Sequence, residues 1–405
     1  MSPVVLAPHT EVSRPLSALE YFHACVGAHP TSLLPPREVV VVVDGAGRLP
    51  RERWQGALDR VVAANPGCRL RIVGERMAMR FESDGAPTRL RVVPDSGWDG
   101  LSQVGAEVLT DTPLPFASGP LSELIVLESP DGATTRLALR AHHAAMDGQG
   151  VMHVFHELFR ALRDEPLVGS NANFSDTELM LSSGVKKSDS IMRRAAQLLG
   201  KPAGDDPGNV WRRVSIPGRR ANSMHRLVIA FAEFARRHDS KLPCVFSIPV
   251  NGRRHLDGMR TTQNFTNMLL VPLYPGEGVE AFKQRLKTML DAKMETAYFR
   301  VVEQVKRVPR AWIDRLASPH AGNFRRRRLH ETALISHLGY YKARELSCPG
   351  FACAGLWGVP LPGNVFCAVF GVEKRLDIIV GAPAVFAGAG RFDALIDHLR
   401  NHLDA

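Results

Sequence analysis

Between Thr134 and Arg163 the period of the apolar positions changes once. Thr135-Arg136-Leu137-Ala138-Leu139-Arg140-Ala141 alternates as a half-buried strand does, and Val151-Met152-His153-Val154-Phe155-His156-Glu157-Leu158-Phe159 repeats its apolar residues at helical spacing. The pattern predicts a strand over 134–142, a helix over 149–163 and, between them, a junction carrying His142, His143, Asp147 and Gly148. The same reading places helices over 16–28, 51–64 and 98–110, and strands over 37–44, 69–74, 77–82, 89–93 and 121–128. A shift to Gly, Ser, Asn, Asp and Lys over 164–209 marks a crossover with a helical island near 190–199. Beyond it come a helix from an N-cap at Ser223 to about 238, strands over 243–250 and 267–273, and a long helix over 278–298 continuing to 308. Strands over 332–336, 352–356, 364–371 and 375–381 and a helix over 390–402 close the chain. Such alternation predicts a mixed α/β architecture, with lobes over 1–170 and 210–405 and a linker over 171–209.

Composition narrows the setting. The 405 residues are 45% hydrophobic, enough for sizeable cores. Val39–Val43, the most conspicuous apolar run, is far short of the roughly 20 residues that span a bilayer. Met1–Pro15 has no cationic stretch leading into an apolar one. Both observations predict a soluble, cytoplasmic protein with no transmembrane segment. Cys25, Cys68, Cys244, Cys348, Cys353 and Cys367 show no metal or redox spacing and read as reduced thiols.

The formal charge of +10 favours an anionic partner. Arg300, Lys306, Arg307, Arg310, Arg315 and the run Arg325, Arg326, Arg327, Arg328 concentrate it, against only Glu303 and Asp314. No nucleic-acid-binding module accompanies this stretch, so nucleic acid is not expected. A solvated face remains one reading; docking of an acidic carrier protein or of coenzyme A phosphates is the other.

A histidine at a strand-to-helix junction can take a proton from a hydroxyl or amine at pH 7. His142, His143, Asp147, His153 and His156 crowd one region, which raises a metal site as an alternative. Adjacent histidines on a strand point to opposite faces, and no HExxH spacing is present, so no metal is expected. Nor does any serine or cysteine sit in a G-x-S-x-G context, which favours direct transfer over a covalent intermediate.

His142-His143-x-x-x-Asp147-Gly148 resembles the HHxxxDG signature of the chloramphenicol acetyltransferase-like superfamily. That superfamily includes nonribosomal condensation domains, polyketide-associated acyltransferases, wax ester synthases and the plant BAHD enzymes. Further landmarks follow in order: Arg14–Glu20, Trp54–Arg69, Ile248–Arg253 with Asn264–Leu269, and Leu334–Gly339. Gln263 and His337 depart from the glycine and asparagine usual in condensation domains. The DFGW signature of the plant branch is absent, Phe370-Gly371-Val372 being the nearest phrase.

The resemblance implies two acetyltransferase-like lobes in a V with the active-site tunnel between them. It implies an acyltransferase of secondary or lipid metabolism, moving an acyl group from acyl-CoA or an acyl carrier protein to a small alcohol or amine. Coenzyme A or phosphopantetheine enters as the substrate thioester, with no permanent cofactor. His143 is the implied base; an ion pair of Asp147 with Arg253 holds the loop, and His142 packs beneath. Oxyanion donors are expected from the backbone at Gly148 and from Asn267 and Ser336. Trp357 fits either an acyl pocket or lobe packing. A free-standing condensation domain and a catalytically silent carrier-docking module are the alternatives.

Overall fold

The structure is a computed structural model describing residues 4–27, 35–94, 96–185, 194–203, 206, 208–218, 222–297, 303–317 and 331–404. In the first half the chain forms β1 (Ser13–Pro15), α1 (Ala18–Cys25), β2 (Glu38–Ala46), α2 (Arg51–Ala64), β3 (Arg71–Val73), β4 (Arg80–Glu82), β5 (Arg89–Val93), β6 (Ser122–Glu128), β7 (Thr134–His142), α3 (Gly148–Leu162) and α4 (Asp176–Ser183). In the second half it forms β8 (Asn209–Pro217), α5 (Ser223–Arg236), β9 (Cys244–Asn251), β10 (Thr266–Leu273), α6 (Val279–Asp291), α7 (Arg310–Ala317), β11 (Ala333–Tyr341), β12 (Ala352–Val359), β13 (Phe366–Val372), β14 (Arg375–Pro383), α8 (Ala384–Ala387) and α9 (Arg391–Asp404).

Two large sheets organise the lobes. One has the order β12-β2-β7-β6-β5 and the other β10-β9-β11-β13-β14-β8, while β1, β4 and β3 make a small third sheet. Each large sheet has its own apolar core. Val40 to Val43 of β2 are all buried, as a strand covered on both faces requires. α3 presents Val151, Val154, Phe155, Leu158 and Phe159 to the first core, and Asp147 caps its start. The two-lobed mixed α/β architecture is therefore observed.

One strand crosses the expected lobe boundary. β12, from the second half, pairs antiparallel with β2 and so completes the sheet of the first lobe. The reason is Trp357, which is fully buried, packs 5.5 Å from Trp98 and 6.0 Å from Trp211, and donates its Nε1–H to Asp44 Oδ2 at 2.9 Å. Trp357 thus belongs to lobe packing. Asp44 also pairs with Arg213 of β8 at 2.7 Å, a further tie across the lobes.

Three expected helices differ. Over 98–110 only a short 3₁₀ turn at Ala106–Leu109 forms, because Gly100 and Gly105 take positive φ and the segment bonds to β8 instead. There Leu101 O accepts from the Arg213 N–H at 2.9 Å, and Gln103 Oε1 from the Trp211 N–H at 3.0 Å. The long helix stops at Asp291: Lys293 turns left-handed and Glu295 is drawn inward to Arg254 and His255, each at 2.9 Å. Of the island near 190–199, the described part is not helical. The helix of the crossover is α4, whose capping box of Ser175 and Glu178 is an S-x-x-E pattern in the sequence. The residue before α5 is Asn222, not Ser223, and its side chain makes no capping bond.

Candidate active site

β7 ends at His142, and the chain turns tightly into α3. The Ala145 and Met146 N–H groups donate to the His142 carbonyl, and the Ala144 N–H donates to His142 Nδ1 at 3.2 Å. His142 is fully buried, edge-on to Phe116 at 4.6 Å. Burial and then the neighbouring His143 push its ring down to about 3. It is a neutral support beneath the site.

His143 points the other way, half-buried in the wall of a cavity of about 130 Å³. Val39, Val41, Leu334, Leu338, Phe366 and Phe370 supply most of its apolar lining, drawn from both sheets. The His143 N–H donates to the Arg37 carbonyl at 2.8 Å, and the ring stacks on His23 at 4.0 Å with the planes 16° apart. Asn264 clamps it from the second lobe. Its Nδ2 donates to the His143 carbonyl at 3.0 Å and lies 3.3 Å from the ring Nδ1, while its Oδ1 accepts from the Thr266 N–H at 3.2 Å. Burial, then the charge of Arg37, push His143 down to about 4. The ring is thus neutral at pH 7.

Asp147 spends both carboxylate oxygens on structure. Oδ1 accepts from the Gly150 N–H at 2.7 Å and from Arg253 Nη2 at 3.0 Å. Oδ2 accepts from Arg253 Nη1 at 2.9 Å, the Phe265 N–H at 2.8 Å and Thr266 Oγ1 at 2.8 Å. Burial alone would raise its pKa; Arg253 and the backbone donors overturn that and leave it lowered. This group ties the α3 N-terminus to the β9–β10 connection, and no bond to His143 is among its contacts.

Gly148 opens α3 and lines the cavity. The Gly150 N–H already donates to Asp147, so the donors this helix end can offer a developing oxyanion are the Gly148 and Gln149 N–H groups, aided by the helix dipole. A Cβ at Gly148 would meet only the flexible end of Leu338, at 2.8 Å, whereas one at Gly150 would lie 2.0 Å from the Thr262 carbonyl oxygen. Gly150→Ala is therefore expected to lower stability by about 1–3 kcal/mol, the cost of overpacking, with Gly148→Ala close to the parent. Urea midpoints of the two variants check this; equal midpoints would refute it.

Ser336 lines the cavity from β11. Asn267 does not: its side chain donates to the Glu295 carbonyl and accepts from the Met268 N–H at 2.9 Å, so its expected oxyanion contact is corrected. Alternation along β10 explains this, since Thr266 and Met268 face the cavity and Asn267 the opposite side. The residue of this segment that reaches His143 is Asn264, and the period-2 pattern of the strand beginning at Thr266 was the signal that could have found it. His337 also lines the cavity, with its Nδ1 accepting from the Gly339 N–H at 3.1 Å and its Nε2 3.2 Å from Ser223 Oγ. Arg325, Arg326, Arg327 and Arg328 lie outside the described residues.

The histidines and Asp147 of the junction form no metal-binding group among the described residues. Glu233, His398 and His402, on α5 and α9, do lie close enough to share an ion. There His398 Nε2 is 2.9 Å from the Ala230 carbonyl and its Nδ1 3.0 Å from Arg237, which satisfies both nitrogens without one.

Acid sensitivity follows from the neutral rings. His142, His143 and His153 stay unprotonated in the fold to about 3, 4 and 4, while the unfolded chain protonates them near 6.5. The unfolded state therefore binds more protons, and stability falls as pH drops below 6.5. Glu38 and Asp176, pushed up to about 7 mainly by burial, act in the opposite sense but are fewer. His142 alone contributes a loss of about 2 kcal/mol at pH 5. A lower Tm at pH 5 than at pH 7 is expected, and an unchanged Tm would contradict these burial assignments.

No protein-family model matches this sequence, and no curated protein matches it. Solved structures do match, and they define the fold class first: this is the fold of condensation domains. The first condensation domain of the calcium-dependent antibiotic synthetase, in complex with a substrate analogue, superposes with a TM-score of 0.70 at 17% identity, over 98% of this chain and 96% of that one. The starter condensation domain of rhizomide synthetase RzmA, as a mutant in complex with C8-CoA, gives a TM-score of 0.64 at 14% identity, over 97% and 94%. The same domain in complex with C8-CoA and Leu-SNAC gives 0.62 at 14% identity, over 98% and 93%. No helix among the described residues is long and apolar enough to cross a membrane.

Proposed function

We propose that this protein is an acyltransferase that moves an acyl group from a thioester to an alcohol or amine without a covalent intermediate. The observation that supports it most is a neutral His143 facing an apolar cavity between two sheets, beside the positive end of α3. In this reading the acyl chain lies among Val39, Val41, Leu334 and Phe370, and the acceptor reaches the thioester carbonyl next to His143. With the ring proton on Nδ1, the tautomer that a base at this position requires, His143 Nε2 takes the acceptor's proton as the new bond forms. The tetrahedral oxyanion is met by N–H groups at the start of α3 and by the Ser336 hydroxyl. Collapse breaks the carbon–sulfur bond, and the imidazolium returns the proton to the departing thiolate.

C8-CoA and Leu-SNAC, bound in the comparable structures, are consistent with CoA or thioester substrates. The test is release of free thiol when the protein is mixed with acyl-CoA or acyl-loaded carrier and a panel of alcohols and amines. Release that requires the acceptor is expected; none from any donor would overturn the reading. A second reading, condensation of two carrier-bound partners, draws on the condensation-domain fold of the neighbours. It predicts turnover only when donor and acceptor are both carrier-loaded.

A further inference from the structure

A second cavity of about 440 Å³ opens beside the first, and the two share Gln149 and Asn251 in their walls. Its chemistry is different. Arg253, Arg254, Arg260, His153 and His156 line it, against the single carboxylate of Asp257. Two of the three guanidinium groups are matched, Arg253 by Asp147 and Arg254 by Glu295, each at 2.9 Å. Arg260 is not: it makes no ion pair among the described residues. Moreover, three buried nitrogens of this lining, Arg253 Nε, Arg260 Nε and His156 Nε2, have no hydrogen-bond partner there. The Arg253 and Arg260 Nε–H groups face no acceptor among the described residues, and an anion rich in oxygens is the ligand that supplies one. Asp257 opposes an anion but is exposed, where solvent screens it.

The distance fits a long substrate. Gly148 and His156 lie eight residues apart on α3, so at 1.5 Å per residue the cavity runs from beside the candidate reaction centre, at Gln149, to about 12 Å along the helix, at His156. We propose that the second cavity binds a phosphate or pyrophosphate carried on the thiol arm of the donor, with Arg260 as its principal cation. The assignment rests on the acyl-transfer reading for the identity of the arm. It places the polar end of the donor beside α3, and the acyl end in the apolar cavity between the sheets.

Calorimetric titration of the protein with coenzyme A, 4′-phosphopantetheine and pantetheine tests it. The two phosphate-bearing thiols are expected to bind at least about 10-fold more tightly than pantetheine, since charge-assisted hydrogen bonds are strong. Arg260→Gln is expected to remove that preference, raising Kd for both by about 10- to 100-fold without changing that of pantetheine, and Arg260→Lys to restore part of it. Equal binding of all three thiols by the parent protein, or an unchanged preference in Arg260→Gln, would overturn the proposal.

Tighter binding of coenzyme A than of phosphopantetheine supports a nucleotide-bearing donor, and equal binding a carrier-bound arm. Thiol release separates this proposal from the reading beneath it. A phosphate preference with no turnover leaves the cavity assigned and removes acyl transfer. Turnover that is equal for acyl-CoA and for the acyl thioester of N-acetylcysteamine, in both parent and Arg260→Gln, leaves acyl transfer and removes the cavity.

Discussion

Replacing His143 by alanine is expected to reduce acceptor-dependent thiol release by about 100- to 10,000-fold, the usual worth of a positioned general base. The loss should fall on kcat, because the ring is only half-buried and the apolar lining that would hold the acyl chain is untouched. Folding should survive: alanine removes the stack on His23 and the 3.3 Å approach of Asn264 to Nδ1, while the Asn264 bond to the His143 carbonyl remains. The pH profile gives an independent check. A base pushed down to about 4 is already unprotonated through the neutral range, so kcat/KM should be flat from about pH 6 to 8 and fall only as pH approaches 4. An alanine variant as active as the parent, or an acid limb centred near 6.5, would remove His143 from the base position.

The second large effect is on stability. Asp147→Ala is expected to cost about 3–5 kcal/mol, because it leaves Arg253 without its counter-ion in a nearly buried setting. The Gly150 and Phe265 N–H groups and the Thr266 hydroxyl lose their acceptor at the same time. Asp147→Asn should cost less, since an amide oxygen can still cap α3. Denaturant unfolding measures both, and the double variant Asp147→Ala/Arg253→Ala should fall short of the sum of the singles, because the two groups act as one. A midpoint for Asp147→Ala equal to that of the parent would show that the junction is held by something else.

Much of this was legible along the chain. The strand ending at His142, the helix opening at Gly148 and the Asp147 cap follow from a change of period and a polar residue at the change, all local properties. The Ser175 capping box is equally local, a serine followed three residues later by a glutamate. Where the expectation differed, a distant partner decided the outcome. Residues 98–105 contain nothing that forbids a helix except two glycines, yet they run irregularly because their backbone bonds to β8, more than 100 residues away. Trp357 lies in the second half of the sequence, but its ring and its bond to Asp44 draw β12 into the sheet of the first lobe.

The candidate site divides in the same way. By itself the sequence determined which residues stand at the junction, because strand and helix periods are short-range consequences of backbone geometry. Only the tertiary structure decided their surroundings: that His143 stacks on His23, that Asn264 rather than Asn267 reaches it, and that Arg260, with no ion pair among the described residues, borders the next cavity. The two contacts to His143 join residues 120 and 121 positions apart, and what selects them is the packing of two sheets around buried charge.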